Sequence, residues 1–261
     1  MSGFLVFTDL DGTLLDHSTY SYAAARDALR LLHHHGVPLV LASSKTAAEI
    51  APLRAELGYP HVPAIVENGA GILEAHAKAG EDRGDYLEII AILNALPGRI
   101  RACFEGFSDW SVGEIARHTG LPAEEAARAA ARQFSEPGIW LGSDEELAAF
   151  EAELAKYGLR GRRGGRFYTL SFGATKASRM AEITARARPA PITLALGDAP
   201  NDREMIEMAD YGVIIKNDHG AELPALDGEA QGRVIRTDLS GPAGWNRAVI
   251  DILSPHFGAK T

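Results

Sequence analysis

Only one cysteine, Cys103, occurs in the 261 residues. No internal disulfide can form, no Cys/His spacing resembles a zinc site, and Cys103 reads as a small packed hydrophobe. Long apolar runs are missing too. None approaches the roughly 20 residues that a membrane helix needs, and Asp9 and Asp11 interrupt the N-terminal apolar segment before it could serve as a secretory h-region. The expectation is a cytoplasmic protein with no membrane partner. Positive charge is scarce: 26 Lys and Arg stand against 35 Asp and Glu, a net charge of -9, with a pI near 5.5. Nucleic acid or an anionic membrane would require a basic face, so neither is expected as a partner. An anionic small substrate would have to meet locally concentrated cations. No fixed-period repeat appears, and no low-complexity tract is longer than an alanine-rich patch. With 46% hydrophobic and 23% charged residues, the chain is an ordinary globular one, long enough for a core domain plus a smaller one.

What is present centres on residues 4–14. Phe4-Leu-Val-Phe7 reads as a buried parallel strand running into Thr8-Asp9-Leu10-Asp11-Gly12-Thr13. Ligands of open parallel sheets bind beyond the C-terminal strand ends. Two carboxylates two residues apart on extended backbone point the same way, so Asp9 and Asp11 can share a metal or divide nucleophile and acid roles. An acidic turn with Asp11-Gly12 as its turn residues is the plainer reading.

Other strand ends supply partners. Ser18 to His35 reads as a crossover helix stopped by Gly36. Its His33-His34-His35 run cannot converge on one ion, because consecutive helical residues project about 100° apart. Pro38 to Ala42 is a second strand ending in Ser43-Ser44-Lys45, and Thr46 to Glu49 has capping-box spacing for a helix to Leu57. Hydroxyls, a cation and a helix N-terminus thus gather where a phosphate would find donors, although Ser43 and Ser44 also suit a cap and turn. Ala64 to Gly69 reads as a short strand ending in a polar turn, then a hairpin; Gly69-Ala70-Gly71 lacks the third glycine of a dinucleotide fingerprint. Later, Ile192 to Leu196 reads as a strand ending in Gly197-Asp198-Ala199-Pro200-Asn201-Asp202, preceded by a helix opened by Thr175-Lys176.

Residues 75–86 carry little apolar periodicity and look like an exit from the first domain, which puts a boundary near residue 82. From there to Ser171 the pattern predicts helices at 87–96, 109–118 and 122–133. Strands follow at 99–104 and 138–141, then a helix capped at Ser143, then a hairpin of 160–163 and 166–171 turning at Gly164-Gly165. Strands at 211–215 and 234–235 and a helix at 245–253 close the sheet. The expected organisation is an α/β core with a doubly wound, mainly parallel sheet in two parts, 1–81 and 172–261, and an α+β cap domain at 82–171.

If the three acidic strand ends are neighbours, Asp9, Asp11 and Asp198 make a hard-oxygen site with few ligands. That suits Mg²⁺, which keeps several waters and one substrate phosphate oxygen. Lys176, Ser43 and Asn201 supply phosphate donors. Phosphate monoesters hydrolyse very slowly unaided, and a covalent aspartyl phosphate with a neighbouring acid/base is a natural route.

Asp9-Leu-Asp11-Gly12-Thr13, the Ser43 strand end, Lys176 and Gly197-Asp198-Ala-Pro-Asn201-Asp202 resemble, in order, the four motifs of the haloacid dehalogenase superfamily of phosphatases. The insert between the second and third motifs resembles that superfamily's α/β cap of the second class. A narrower likeness, to the mannosyl-3-phosphoglycerate phosphatase family, rests on shorter segments: residues 42–46, 66–69, 197–202, 211–216 and 241–245. The resemblance implies that Asp9 is nucleophile and Mg²⁺ ligand, and that Asp11 is general acid/base and metal ligand through its carbonyl. It implies Asp198 as third ligand, phosphate held by Ser43 and Lys176 with Asn201 in contact, and Asp202 behind them or orienting Lys176; Ser44 is a further substrate-binding candidate. Ala199 stands where many relatives carry glycine.

The expected substrate is a small phosphorylated sugar, glycosyl-3-phosphoglycerate first. A phosphomutase on the same scaffold, or a metabolite-binding protein without turnover, are the competing readings. Four arginines crowd the hairpin at 160, 162, 163 and 166. Arg166, just past the glycine turn, is the candidate to grip a glycerate carboxylate with its planar fork.

Overall fold

The computed structural model describes residues 3–77, 83–164, 166–220 and 223–257. In chain order the first elements are β1 (Phe4–Thr8), α1 (Arg26–His34), β2 (Leu39–Leu41), α2 (Ala47–Glu56), β3 (Ala64–Val66) and β4 (Gly71–Leu73). Next come α3 (Gly84–Ala95), α4 (Gly98–Arg101), β5 (Phe104–Gly106), α5 (Val112–Thr119), α6 (Ala123–Ala130), β6 (Glu136–Trp140), α7 (Asp144–Ala155), β7 (Arg160–Arg163) and β8 (Tyr168–Ser171). The chain ends with α8 (Lys176–Arg186), β9 (Ile192–Gly197), α9 (Arg203–Met208), β10 (Tyr211–Lys216), β11 (Val234–Ser240) and α10 (Gly241–Leu253).

Five strands form one sheet in the order β11-β10-β9-β1-β2, each neighbour parallel to the next. All five residues of β1 are buried, as a strand covered on both faces requires. The core around it draws Leu32 from α1, Ile50 from α2, Met180 from α8 and Trp245 from α10. This is the expected α/β architecture with a parallel central sheet. A second sheet, β5-β6-β8-β7, is antiparallel. It has its own apolar cluster of Ile89, Leu93, Phe104, Phe150, Leu154 and Leu170. The boundary expected near residue 82, and Gly165 of the hairpin turn, lie outside the described residues.

Helix starts follow their caps. Thr46, Ser111 and Ser143 each accept from the backbone three residues on, while the glutamate there bonds back. Where local chemistry competes, the expected boundaries move. Residues 18–22 are not helical, because the Asp16 carboxylate accepts from the backbone N–H groups of Ser18 and Thr19 and offers the chain a turn instead. The strand expected at 99–104 is a helical turn through Arg101, with strand only from Phe104. Pro97 pre-sets the helical entry as its N-cap, and Arg101 reaches over to the Phe104 carbonyl at 2.6 Å. Helix α10 starts at Gly241 rather than Trp245, since Pro242 sits in its first turn.

Candidate active site

Because β9, β1 and β2 are adjacent, the residues that follow them share one edge. Asp9 directly follows β1, and its N–H donates to the Leu196 carbonyl at 2.9 Å, which continues the sheet ladder and fixes the backbone that carries its side chain. Asp198 directly follows β9, and Ser43 lies just beyond β2. Lys176 opens α8, capped by Thr175. Gly69 lets that helix start come close: a Cβ there would stand 2.1 Å from the Thr175 carbonyl carbon and 2.3 Å from the Lys176 nitrogen. Gly12 turns the chain at φ +84°, and a Cβ on it would lie 2.8 Å from Asp198 Oδ2.

At the centre, the buried Lys176 Nζ lies 2.6 Å from Asp9 Oδ1 and 2.7 Å from Asp202 Oδ1. Asp202 Oδ2 accepts from the N–H groups of Asp198 and Ala199 at 3.2 and 3.1 Å, so this carboxylate orients the lysine and braces the strand-end loop together. Asp198 Oδ1 accepts from the Thr13 hydroxyl at 2.7 Å and its Oδ2 from Asn217 Nδ2 at 2.6 Å. Burial pushes the Asp9 carboxyl well above its ordinary range; Lys176 pulls against this, and Asp202 and Asp198 push further up. Burial likewise raises Asp198, with the Thr13 hydrogen bond opposing it. Burial disfavours the Lys176 ammonium, but the carboxylates of Asp202 and Asp9 more than offset that and hold its pKa above the usual lysine value.

Carboxylate oxygens of Asp9, Asp198 and Asp202 come within 4.8 Å of one another, the grouping among the described residues that could hold a metal ion. Three buried carboxylates facing one ammonium leave a charge deficit that a divalent cation would neutralise, and the all-oxygen donor set suits Mg²⁺. Asp9 Oδ1 is taken by Lys176, so its other oxygen and Asp198 are the natural ligands, with Asp202 occupied behind them. The Asp11 carboxylate is not in this trio. It turns to Lys45, whose Nζ lies 2.8 Å from Asp11 Oδ2, while Asp11 Oδ1 is buried without a hydrogen-bond partner.

The remaining predicted residues fall at several places. Ser43 is buried, and its oxygen accepts from the Lys45 N–H at 3.2 Å, which leaves its hydroxyl hydrogen to donate. Ser44 is exposed. Asn201 Nδ2 donates to Asn68 Oδ1 at 3.0 Å. Arg166 is elsewhere: its Nη1 donates to the carbonyls of His118 and Thr119 at 2.8 and 2.6 Å, at the C-terminus of α5, where unpaired carbonyls attract a cation.

Thr13, Asn68 and Asn217 were not singled out by the sequence as site residues, whereas Lys45, the cation expected at the second strand end, faces Asp11. Asn217 follows β10 as Asp9 follows β1, and that shared position is the signal that could have found it. A further group ties the insert to this edge. The buried Glu67 side chain accepts from the N–H groups of Gln133 and Phe134 and from the Ser135 hydroxyl at 2.8, 3.1 and 2.7 Å. Arg132 Nε lies 3.3 Å from Glu67 Oε2, and Arg132 Nη2 donates to Ser135 Oγ. Beside them, Thr46 Oγ1 lies 2.8 Å from the Arg128 carbonyl.

Residues 6–127 match the family described as haloacid dehalogenase-like hydrolase. Among solved structures, the chain is similar to a haloacid dehalogenase-like hydrolase from B. subtilis, with 18% identity over 97% of this chain and 99% of that one and a TM-score of 0.61. A phosphatase of the same superfamily from Bacteroides thetaiotaomicron shares 21% identity over 97% and 94%, with a TM-score of 0.61. The sucrose-phosphatase from Synechocystis, solved with sucrose and phosphate, shares 15% identity over 98% of each chain, with a TM-score of 0.59. At these identities the structural likeness establishes the fold.

Proposed function

We propose that this protein is a haloacid dehalogenase-like hydrolase, a Mg²⁺-dependent phosphomonoesterase acting on a glycosyl-3-phosphoglycerate, most directly mannosyl-3-phosphoglycerate, to give mannosylglycerate and phosphate. The observation that carries the reading is the Lys176 ammonium enclosed between Asp9 and Asp202 at 2.6 and 2.7 Å, with Asp198 alongside. It supports a reading in which one strand edge carries a carboxylate nucleophile, a fixed cation and oxygens able to hold a metal ion.

In the proposed reaction an Asp9 oxygen attacks phosphorus, the ester P–O bond breaks, and Asp11 passes a proton to the departing oxygen. Asp11 then takes a proton from water, whose oxygen attacks the aspartyl phosphate; the bond from phosphorus to Asp9 breaks, and inorganic phosphate leaves. Lys176 holds a phosphoryl oxygen and keeps Asp9 oriented. Ser43 donates to the same group, with Ser44 and Asn201, the latter steadied by Asn68, as further donors to it. When bound by Asp9, Asp198 and the Asp11 carbonyl, Mg²⁺ would supply charge neutralisation between carboxylate and phosphate. Residues 82–171 act as the cap and 1–81 with 172–261 as the core. The latch of Glu67 to Arg132 and Ser135 supports a cap seated over this edge.

A substrate panel scored for released phosphate tests the reading, with mannosyl- and glucosyl-3-phosphoglycerate, hexose phosphates and p-nitrophenyl phosphate in Mg²⁺. Preferential phosphate release from a glycosyl-3-phosphoglycerate is expected. Positional isomers without phosphate would instead make this a phosphomutase, and binding without turnover would overturn catalysis altogether.

A further inference from the structure

We infer that Lys45 recognises an anionic substituent on the leaving group, a carboxylate on the carbon chain that departs, and that Asp11 holds this ammonium until such a substrate is in place. The inference rests on the phosphatase reading and names a residue that would select its substrate. Lys45 sits on rigid backbone: its N–H donates to Ser43 Oγ at 3.2 Å and its carbonyl accepts from the Glu67 N–H at 2.9 Å. Its head group is nonetheless partly open, with a side-chain exposure of 21% beside an Asp11 at 34%. The Tyr20 ring, itself largely exposed, lies 5.2 Å away on another side of the ammonium, an arrangement that favours a cation there.

The cations around this edge differ in their commitments. Lys176 is enclosed by two carboxylates, and Arg132 is engaged by Glu67 and Ser135. Lys45 is held by one carboxylate that the proposed chemistry needs for something else. The Asp11 side chain points at Lys45 and stands outside the carboxylate trio, so serving the leaving oxygen means turning away from the 2.8 Å contact. Its other oxygen, buried and unpartnered, shows how little else holds the side chain there. When the pair opens, the ammonium needs a substitute anion, since a partly buried charge left alone is costly. A carboxylate on the leaving group provides one, whereas a neutral sugar does not. The exchange would make release of Asp11 depend on the substrate carrying that charge.

The test compares mannosyl-3-phosphoglycerate with the matching ester in which hydroxymethyl replaces carboxylate, for wild type, Lys45→Gln and Lys45→Arg, all with Mg²⁺. The wild type is expected to favour the carboxylate ester by roughly tenfold or more in kcat/KM. Lys45→Gln should bring that ratio within about threefold, chiefly through KM, and Lys45→Arg should restore most of it. A Lys45→Gln enzyme that keeps the wild-type ratio, or a wild type with no preference while still releasing phosphate, would overturn the inference. Failure of the wild type to release phosphate from either ester or from p-nitrophenyl phosphate would overturn the phosphatase reading, and this inference with it.

Discussion

Glu67, directly after β3, and Arg132, two residues past α6, are both shielded from solvent and meet at 3.3 Å. Around that contact Glu67 accepts two backbone N–H groups and the Ser135 hydroxyl. Its carboxylate is therefore satisfied by a whole segment rather than by one partner. Its backbone adopts φ +53°, followed by Asn68 at +59° and Gly69 at +92°, so three successive left-handed residues aim it at the insert.

Breaking a buried pair by removing one partner costs about 3–5 kcal/mol. Glu67→Ala should therefore lower unfolding free energy by about that much, while adding Arg132→Met to it should cost less than Arg132→Met alone. Urea denaturation of the singles and the double, read as a double-mutant cycle, checks this. Additive losses would mean that the two side chains do not act together.

Glycines test the approach of α8. Gly69→Ala places a Cβ against the Thr175 carbonyl carbon and should displace Lys176, with loss of turnover and of several kcal/mol of stability, roughly 2–4 by the cost of overpacking plus a left-handed backbone. Gly120 also has a positive φ, +78°, but open space around it. Gly120→Ala should cost only about 1 kcal/mol and spare turnover. Thermal melts and phosphate assays on the pair separate strain from collision.

The pH dependence of the metal-free protein follows from Asp9 and Asp198, both raised chiefly by burial. A carboxyl whose folded pKa exceeds its unfolded value keeps its proton longer when folded. Stability should then fall as pH rises from about 4 through the raised folded values. Mg²⁺ compensates the ionised carboxylates, so its stabilisation should be larger at pH 8 than at pH 5. At a hundredfold excess over Kd it is worth about 2.7 kcal/mol, roughly 5–10 °C in Tm. Melting with EDTA and with Mg²⁺ across that range checks the sign. EDTA should also stop turnover, and Mg²⁺ should restore it better than Ca²⁺.

Asp9→Asn should abolish phosphate release without unfolding the protein. The amide cannot attack phosphorus, yet it removes a buried charge and should leave metal-free Tm unchanged or higher. A folded Asp9→Asn enzyme with near-normal turnover would contradict the assigned nucleophile.

Arg166 caps α5 through the His118 and Thr119 carbonyls, a contribution of about 1 kcal/mol. Arg166→Ala should lower Tm slightly and change kcat/KM for all phosphate esters by a similar factor. A loss confined to carboxylate-bearing esters would show that the guanidinium leaves the helix end for the substrate.

The parallel sheet was legible because its strands are apolar runs ending in polar clusters. Phe4–Phe7 before Asp9 and Ile192–Leu196 before Asp198 mark both the strands and the edge they share. Pattern could not show which carboxylate faces which cation. Lys176 meets Asp202 as read but is equally close to Asp9, and the Asp11 side chain turns to Lys45. Both outcomes depend on side-chain direction at a turn, which spacing does not encode. The Glu67–Arg132 contact was hidden for another reason. It joins residues far apart in sequence, neither with a motif around it, and a buried arginine such as Arg132 looks like any surface arginine until its partner is placed.

The position of β1 has a consequence for how the chain is made. It pairs with β2 on one side, Val6 opposite Leu39, and with β9 on the other, Phe4 opposite Ile192. As the polypeptide leaves the ribosome, β1 can find its first neighbour early, but its second edge stays open until the last third has emerged, roughly 10–30 s later at about 5–20 residues per second. The antiparallel sheet, drawn from one continuous stretch, can assemble in that interval. The strand that carries Asp9 is thus among the first segments synthesised and among the last to be enclosed, and a nascent chain halted before β9 would present it as an unpaired apolar edge to chaperones or to other chains.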